Sequence, residues 1–268
     1  MGIYQMVGRR IWGDLMSKLM EDFKLFADVF RNKMLATADI IGFSDRIKSV
    51  YEVKSGDNLW AIAKKHGVGV SHVLNINPEL VGKEDKLSIG QKIKIPYSPM
   101  DLARQLKGKP IDEILSEVSR SYKIDADAFR YALMQESKMD PRAFNEKTKA
   151  SGLGQLMPEV AQNFGVTDVW DPAQNAAAAA AHLQAYISEV KHLVPNVDAD
   201  TALWYAFMAY NWGIGNFKKW IASGKSFVPP KETRWYPAGI FLNMKKNPPS
   251  EFVNDYRDYV ASKYVAAL

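Results

Sequence analysis

The apolar residues after position 110 recur at three- and four-residue steps, and this periodicity limits the region to a helical fold. Ile111, Ile114, Leu115 and Val118 form one such helical face. Helix-starting and helix-stopping residues delimit further predicted helices over residues 125–139, from 171 through the alanine run 176–181, over 201–211 and over 251–266. Residues 201–211 are apolar all round, so we expect that helix to lie buried at the centre of the region.

Residues 51–97 have a different pattern. Residues 51–53 alternate as a short strand, turn residues precede a helix that begins near Leu59, a second short helix ends at Asn77-Pro78, and residues 92–96 form a closing strand. So small a unit has a limited core and suits binding better than it suits a deep catalytic cleft. Turn-forming residues then predict a linker over residues 98–110.

Residues 1–50 predict an N-terminal helical segment. One apolar stripe runs along it at alternating four- and three-residue steps and consists of Trp12, Met16, Leu19, Phe23, Phe26, Phe30 and Met34. The stripe resembles a coiled-coil seam, which favours docking into a larger assembly. A helix packed on the rest of its own chain and a helix bound to a membrane surface are the alternatives, and the second lacks the expected lysines and arginines.

Composition excludes several classes of function. The formal net charge of +5 is spread thinly along the chain, so nucleic acid is not expected as a partner. The chain has no cysteine and no two histidines at HExxH spacing, and we expect neither a metal nor an organic cofactor. No stretch is apolar for long enough to span a membrane, and charged residues interrupt the first apolar segment, so no secretory signal is expected.

One carboxylate stands out within the predicted helices. Glu136 falls at helical steps from Ala126, Phe129 and the pair Ala132 and Leu133, which places it on an apolar face. Burial penalises a charged carboxylate and raises its pKa, which suits a general acid near neutral pH. A glutamate on such a face is more often a structural residue, so its surroundings have to decide its role.

Five short motifs supply those surroundings. They occupy residues 134–143, 150–158, 170–175, 209–213 and 232–236. With these motifs in this order, residues 112–262 resemble the catalytic domain of the soluble lytic transglycosylases, which are relatives of goose-type lysozyme. The resemblance implies that Glu136 is the single catalytic glutamate, first as the acid that protonates the glycosidic oxygen and then as the base.

The same resemblance implies a set of substrate-binding residues. Gln155 would line the saccharide cleft, Tyr210 and Asn211 would orient the substrate, and Glu232 and Tyr236 would form the far wall of the cleft. Asn145 is a further candidate at a position where many members carry serine. Gly154 stands where methionine is usual, and the spacing from Glu136 to Gln155 is one residue longer than usual, so we expect the loop 146–149 to bulge.

A single glutamate also predicts the reaction. The resemblance implies that the N-acetyl group of the substrate attacks the anomeric carbon, and that the 6-hydroxyl then closes a 1,6-anhydro ring. The bond cleaved would be the β-1,4 bond between N-acetylmuramic acid (MurNAc) and N-acetylglucosamine (GlcNAc). Hydrolysis of the lysozyme type needs a second carboxylate, for which Asp140, Glu146 and Glu159 are the nearby candidates and none is evident as a partner.

Residues 51–96 resemble a LysM module from their first strand to their last. The resemblance implies binding of GlcNAc-containing glycan in a shallow groove between the turn 56–59 and the loop around 77–81. The candidate glycan-binding residues are Gly56, Asp57, Asn58, Leu59, Asn77 and Pro78. Several of them also serve as fold punctuation.

The sequence therefore predicts a mainly α chain with four parts: an N-terminal helical docking segment (1–50), a small βααβ LysM domain (51–97), a linker (98–110) and a lysozyme-like all-helical catalytic domain (111–268). The predicted substrate is bacterial peptidoglycan. The missing signal and the apolar stripe indicate a phage lysin, held in the virion or the host cytoplasm and acting at the periplasm or cell wall, with tail or virion proteins bound through residues 1–40. A bacterial wall-remodelling enzyme and a virion structural protein with a vestigial catalytic domain are the alternatives.

Overall fold

The computed structural model describes residues 46–265, and these contain eleven α-helices and one two-stranded sheet. In chain order the elements are β1 (Ile47–Glu52), α1 (Leu59–Lys65), α2 (Val70–Ile76), β2 (Lys92–Pro96), α3 (Pro99–Leu106), α4 (Ile111–Tyr122), α5 (Ala126–Ser137), α6 (Pro158–Asn163), α7 (Pro172–Leu193), α8 (Ala199–Trp212), α9 (Ile214–Ala222), α10 (Lys231–Asn243) and α11 (Val253–Val265). The mainly α prediction is confirmed. The apolar stripe over residues 12–34 lies outside the described residues.

The first part of the fold is a βααβ unit over residues 47–96, as the sequence predicts. β1 and β2 pair in antiparallel fashion, with Tyr51 opposite Ile93 and Ile47 opposite Pro96. Leu59, Ile62 and Ile93 lie in the small core that α1 and α2 close against this sheet. The predicted helical segment does not extend to residue 50. Residues 47–50 belong to β1 instead, because pairing with β2 holds them in an extended conformation.

The segment 98–110 also differs from the predicted linker, since it contains α3. Ser98 and Pro99 suggest a loop, but here they start a helix: the Ser98 hydroxyl accepts the Asp101 N–H and proline occupies the first turn. Leu102 and Leu106 are buried against the helical core. The turn residues 107–110 are what remains of the linker.

Small residues allow the long helix α7 to pack at the centre of the helical part. Ala176–Ala181 are completely buried, and α3, α4 and α8 all pack against α7. Residues 202–209 of α8 are buried as predicted, and they include Trp204 and Phe207. α10 packs against α8 and α5, which brings the late part of the chain back beside α5. None of the described helices combines the length and the apolar content needed to cross a bilayer.

A buried carboxylate joins the βααβ unit to the helical part, and both belong to one compact unit over residues 42–268. Lys48 of β1 donates to both carboxylate oxygens of Asp101, each at 2.8 Å, and Asp101 is only 6% exposed. The ring of His72 on α2 packs 5.6 Å from that of Tyr122 on α4. Although burial raises the pKa of Asp101, hydrogen bonds from Lys48 and Ser98 outweigh it and hold the pKa below its usual range.

Replacing Asp101 should therefore destabilise the fold. Asp101→Ala removes the carboxylate that accepts the Ser98 N–H in the capping box of α3, and it also removes the bond to Lys48. We expect it to lower the free energy of unfolding by about 2–4 kcal/mol at pH 7 in urea titrations. The loss of unfolding free energy should shrink as the pH falls through the folded pKa of Asp101. The hydrogen bonds that lower this pKa stabilise the ionised carboxylate, so protonation removes their contribution in the original chain as well.

The matched control is Asp112→Ala on α4. Asp112 is 79% exposed and pairs with Arg130 at the surface, so its removal should cost less than about 1 kcal/mol. Equal losses in the two variants would contradict the role given to Asp101.

Candidate active site

Glu136 lies in the last turn of α5. Asp125 starts this helix by accepting the Ala128 N–H, as predicted, and the chain turns away where Lys138 and Met139 both adopt left-handed backbone conformations. Phe129, Ala132 and Leu133 on the predicted face are buried, whereas Ala126 at the start of α5 is exposed. The end of α5 thus brings a partly buried carboxyl group to the surface.

Tyr236 binds this carboxyl group from α10. Its hydroxyl donates to Glu136 Oε1 at 2.5 Å, and the Tyr236 side chain is itself buried. The neighbouring Gln135 donates its Nε2 to the carbonyl of Tyr236 at 3.1 Å, so the two helices are tied by a side-chain bond on each side. Glu136 and Tyr236 are 100 residues apart in the chain, and the sequence motifs that contain them meet here.

Burial raises the pKa of Glu136 to about 7. The Tyr236 hydrogen bond opposes this shift by stabilising the ionised form, while the negative charge of Glu232 adds to it. The carboxyl group can therefore hold or release a proton near neutral pH, which is the property required of a group that acts first as acid and then as base.

Two open clefts meet at Glu136. One has a volume of about 630 Å³ and is lined by residues of α5, α10 and α11 together with Asn211 at the end of α8. The other has a volume of about 600 Å³ and is lined by the segments that follow α5, including Asn145 and Gln155. Glu136 lines both, so a polymer that occupied the two clefts would place one of its bonds beside this carboxyl group.

Gln155 and Asn145 lie in the second cleft, but their side chains also hold its loops. Gln155 donates Nε2 to the carbonyls of Ala143 and Gly152, each at 3.0 Å. Asn145 accepts the backbone N–H groups of residues 147 and 148 through its side-chain oxygen, at 3.0 and 3.2 Å. Together with the left-handed backbone of Lys149, this Asn145 turn shapes the loop 146–149.

Tyr210 and Asn211 separate in the structure. Asn211 lines the first cleft together with Glu232 and Tyr236. The Tyr210 hydroxyl instead donates to the carbonyl of Gly154 at 2.8 Å, and burial raises the pKa of this phenol well above its usual value. The Tyr210 hydroxyl thus contacts the loop that carries Gln155, and Tyr210 is not among the residues that line either of the two clefts.

Asn175 is a residue of the site that the sequence reasoning left without a role. It is completely buried on α7, donates to the carbonyls of Ser151 and Val169 at 3.0 and 2.9 Å, and accepts the Gly154 N–H at 2.8 Å. The bonds to Ser151 and Gly154 hold the loop before Gln155 against the helix, and the bond to Val169 holds the segment that precedes α7. The DPxxN motif at residues 171–175 was the available signal, because an asparagine among buried alanines needs polar partners.

The same packing accounts for Gly154, which departs from the resembled pattern. A Cβ atom built on Gly154 would lie 2.5 Å from the Cβ of Ala179, and one on Gly152 would lie 2.2 Å from the Asn175 amide nitrogen. Gly152 also has a φ of +74°. A side chain at either position would push the loop away from α7, so the close approach of loop and helix requires glycine at both positions.

Comparison with known protein families agrees with both resemblances. Residues 113–230 match the model of the transglycosylase SLT domain, and residues 51–96 match the model of the LysM domain. The chain contains an SLT domain and a LysM domain. The SLT match ends before Glu232 and Tyr236, yet these two residues reach the cleft of Glu136.

Several named proteins share part of this sequence. "Membrane-bound lytic murein transglycosylase F" of Salmonella arizonae is 32% identical over 110 residues, which is 39% of this chain and 21% of the relative. "Transglycosylase" of Enterobacteria phage PRD1 is 34% identical over 115 residues, covering 43% of this chain and 39% of the relative. The chain thus spans about a fifth of the Salmonella protein.

The LysM domain uses several of its candidate residues to stabilise its own fold. Leu59 is 2% exposed in the core, and Asn77 is fully buried with its amide bonded to Val73 and to both backbone groups of Lys94. Both side chains therefore serve the core of the module, and a direct contact of either one with glycan stays a prediction. Asp57 accepts bonds from Lys54 and Tyr51, while Gly56, Asn58 and Pro78 remain exposed.

Metal-ligand geometry is not evident around the SLT cleft. Within residues 46–265 no group of three histidine, aspartate or glutamate side chains is arranged to hold a metal ion.

Two substitutions should move the pKa of Glu136 in opposite directions. Tyr236→Phe removes the hydrogen bond to the ionised carboxylate and should raise the pKa above about 7, whereas Glu232→Gln removes a neighbouring negative charge and should lower it. The pH titration of the Glu136 carboxyl carbon by NMR measures both shifts. Glu159→Gln, at an exposed position on α6, is the control and should leave the titration unchanged; shifts of the same sign in the two test variants would refute this electrostatic account.

Loss of the Asn175 amide should destabilise the SLT domain strongly. Asn175→Ala leaves two carbonyls and one N–H without this partner, which we expect to cost about 3–5 kcal/mol of unfolding free energy. Asn216→Ala removes a single bond at an exposed position of α9 and should cost less than about 1 kcal/mol. Chemical denaturation measures the difference, and a mild effect at Asn175 would show that the loop has another tether.

Proposed function

We propose that this chain is a lytic transglycosylase that cleaves the glycan strands of bacterial peptidoglycan. The observation that carries the proposal is Glu136, a carboxyl group with a pKa raised to about 7 that lies between two clefts of the SLT domain. The names of the relatives support the same activity. We also propose that the catalytic domain extends over residues 111–268, because α10 and α11 supply part of the first cleft.

In the first step, protonated Glu136 donates its proton to the oxygen of the β-1,4 bond between MurNAc and GlcNAc. The bond from that oxygen to C1 of MurNAc breaks, and the carbonyl oxygen of the MurNAc acetamido group forms a bond to C1 in its place. The substrate itself thus provides the nucleophile that most glycosidases take from a second carboxylate. The departing sugar leaves with a free 4-hydroxyl group.

In the second step, ionised Glu136 removes the proton from the 6-hydroxyl of MurNAc. The O6 atom bonds to C1 as the acetamido oxygen leaves, which restores the acetamido group and produces a 1,6-anhydro ring. Glu136 regains its proton, so it is ready for another cycle. The Tyr236 hydrogen bond suits this sequence because it stabilises the carboxylate during the interval between the two transfers.

Hydrolysis of the lysozyme type is the second candidate reaction. Each cleft offers the second carboxylate that this reaction needs: Glu232 lines the first cleft with Glu136, and Glu146 lines the second. Either carboxylate could activate a water molecule at C1. We favour the transglycosylase reaction because the relatives carry that name and because Glu232 already has a role in raising the pKa of Glu136.

The LysM domain is proposed to hold the chain on its substrate through GlcNAc-containing glycan. A module bound to the wall raises the concentration of glycan near the adjacent cleft without contacting the bond that breaks. The Lys48–Asp101 contact fixes the module against the SLT domain and so limits the range of positions that the bound glycan can take. Asn58, Gly56 and Pro78 are the exposed candidates for this contact.

A phage setting is proposed on the similarity to the transglycosylase of phage PRD1. In this setting the chain opens the wall from the virion, or from the host cytoplasm after release, and residues 1–40 bind tail or virion proteins. A virion structural protein with an inactive SLT domain would bind peptidoglycan without cleaving it. The product assay below separates that alternative from the enzyme.

Digestion of purified peptidoglycan followed by mass spectrometry tests the proposed reaction. We expect muropeptides with 1,6-anhydro ends; products with reducing ends would establish hydrolysis instead, and an absence of products would refute the enzymatic proposal. Glu136→Gln should lower the rate at least about 100-fold because it removes the group that transfers the proton.

Two controls accompany this variant. Binding to insoluble peptidoglycan should be retained, since the LysM domain is untouched. The Glu136→Gln protein should also be at least as stable as the original above pH 7, because burial penalises the ionised glutamate that it replaces. Cleavage at the original rate by a folded variant would refute the assignment of Glu136.

A further inference from the structure

Two lysines border the first cleft, and neither of them lines the second. Lys231 is the first residue of α10, Lys263 lies near the end of α11, and both side chains are exposed. Among the ion pairs formed within residues 46–265, neither lysine takes part, whereas Lys225 and Lys246 are both paired with carboxylates. The cleft thus presents two ammonium groups that are not neutralised by a described neighbour.

Aromatic rings hold both ammonium groups in place. Lys231 Nζ lies 3.9 Å from the ring centre of Trp235, and Lys263 Nζ lies 5.1 Å from that of Tyr259. The two rings meet edge to face with their centres 5.7 Å apart. This cluster, Lys231–Trp235–Tyr259–Lys263, joins α10 to α11 and limits the conformations of two side chains that are otherwise mobile at a surface.

The charges of the cleft favour an anionic ligand. When Glu136 is protonated for the first step, Glu232 is the remaining carboxylate among the described lining residues, against the two lysines. The second cleft has the same excess of one positive charge when Glu136 is protonated, since its lining includes Lys138 and Lys147 and the carboxylate of Glu146. Sugar hydroxyl groups can accept hydrogen bonds from these ammonium groups, but only an anionic substituent on the sugar also offsets the excess of positive charge.

The glycan strand of peptidoglycan carries such a substituent. Its sugars are uncharged when the lactyl group of MurNAc is joined to a peptide, and the free carboxylates of the substrate lie in that peptide. We propose that Lys231 and Lys263 bind carboxylates of the peptide attached to MurNAc, so that the enzyme selects glycan that carries charged peptides. The inference rests on the proposed function and adds the part of the substrate that the first cleft recognises.

A pair of substrates that differ only in charge tests this selection. Soluble peptide-bearing glycan is acetylated on its amines, and one half is then converted to carboxamides at its carboxyl groups. We expect the full chain to have a kcat/KM several-fold higher on the carboxylate form, and Lys231→Ala together with Lys263→Ala should bring the ratio of the two values close to one. Each lysine should account for about a two- to fivefold change, which is the range of an exposed charge pair.

Three comparisons make the result specific. The double Lys→Arg variant should retain the ratio, since it keeps both charges, and Arg257→Ala on the exposed face of α11 should retain it as a matched loss of charge. Added salt should reduce the ratio in the original chain because screening weakens exposed charge pairs. A ratio near one in the original chain, or a double alanine variant that slows equally on both substrates, would overturn the proposal.

The outcome is separable from that of the proposed function. If neither substrate is cleaved, the enzymatic proposal fails, and the dissociation constants of the two glycan forms for the Glu136→Gln chain still test the selection. Tighter binding of the carboxylate form that depends on the two lysines supports the inference; equal binding of both forms overturns it.

Discussion

The hydrogen bond between Tyr236 and Glu136 is the contact around which the candidate site is organised. It crosses from α10 to α5 and joins a buried phenol to a carboxyl group whose pKa burial raises to about 7. Burial alone would favour the neutral acid and make its ionised form costly, whereas the phenol stabilises that form. In the proposed mechanism, the balance of the two effects, with the added charge of Glu232, would let one carboxyl group serve as both acid and base. That mechanism requires two helices that are distant in sequence to be held in fixed positions.

The relative position of α5 and α10 depends on the packing of α7. Its buried alanines let α3, α4 and α8 approach closely, and α8 in turn supports α10. Asn175 is the polar exception in this helix, and it binds the loop that leads to Gln155. Gly152 and Gly154 allow that loop to lie against the helix. A larger side chain at position 154 would collide with Ala179, which is the steric reason for glycine at this position of the resembled motif. The cleft is thus shaped by close packing behind it as much as by the residues that line it.

The LysM domain is positioned by the same helical core. Asp101 accepts the Ser98 N–H at the start of α3 and also binds Lys48 of β1, so the segment expected to be a linker is a structural part of the SLT side. A glycan-binding module fixed in this way would present the strand in a limited set of orientations. The two lysines that line the first cleft are proposed to add a further level of selection, in which they bind the peptide and leave the sugar to the residues near Glu136.

The sequence by itself determined the mainly α class, the βααβ module, the cap at Asp125, the buried helix at residues 201–211 and the prominence of Glu136. Each of these follows from local periodicity or from a motif whose residues are close in the chain. Only the tertiary structure decided which side chains meet: it brought Asn211, Glu232 and Tyr236 to Glu136, placed Tyr210 behind the loop, and buried Leu59 and Asn77. It also turned residues 47–50 into a strand and the predicted linker into a helix. The physical reason is that strand pairing, burial and a raised pKa depend on partners from other parts of the chain, and local sequence patterns do not specify those partners.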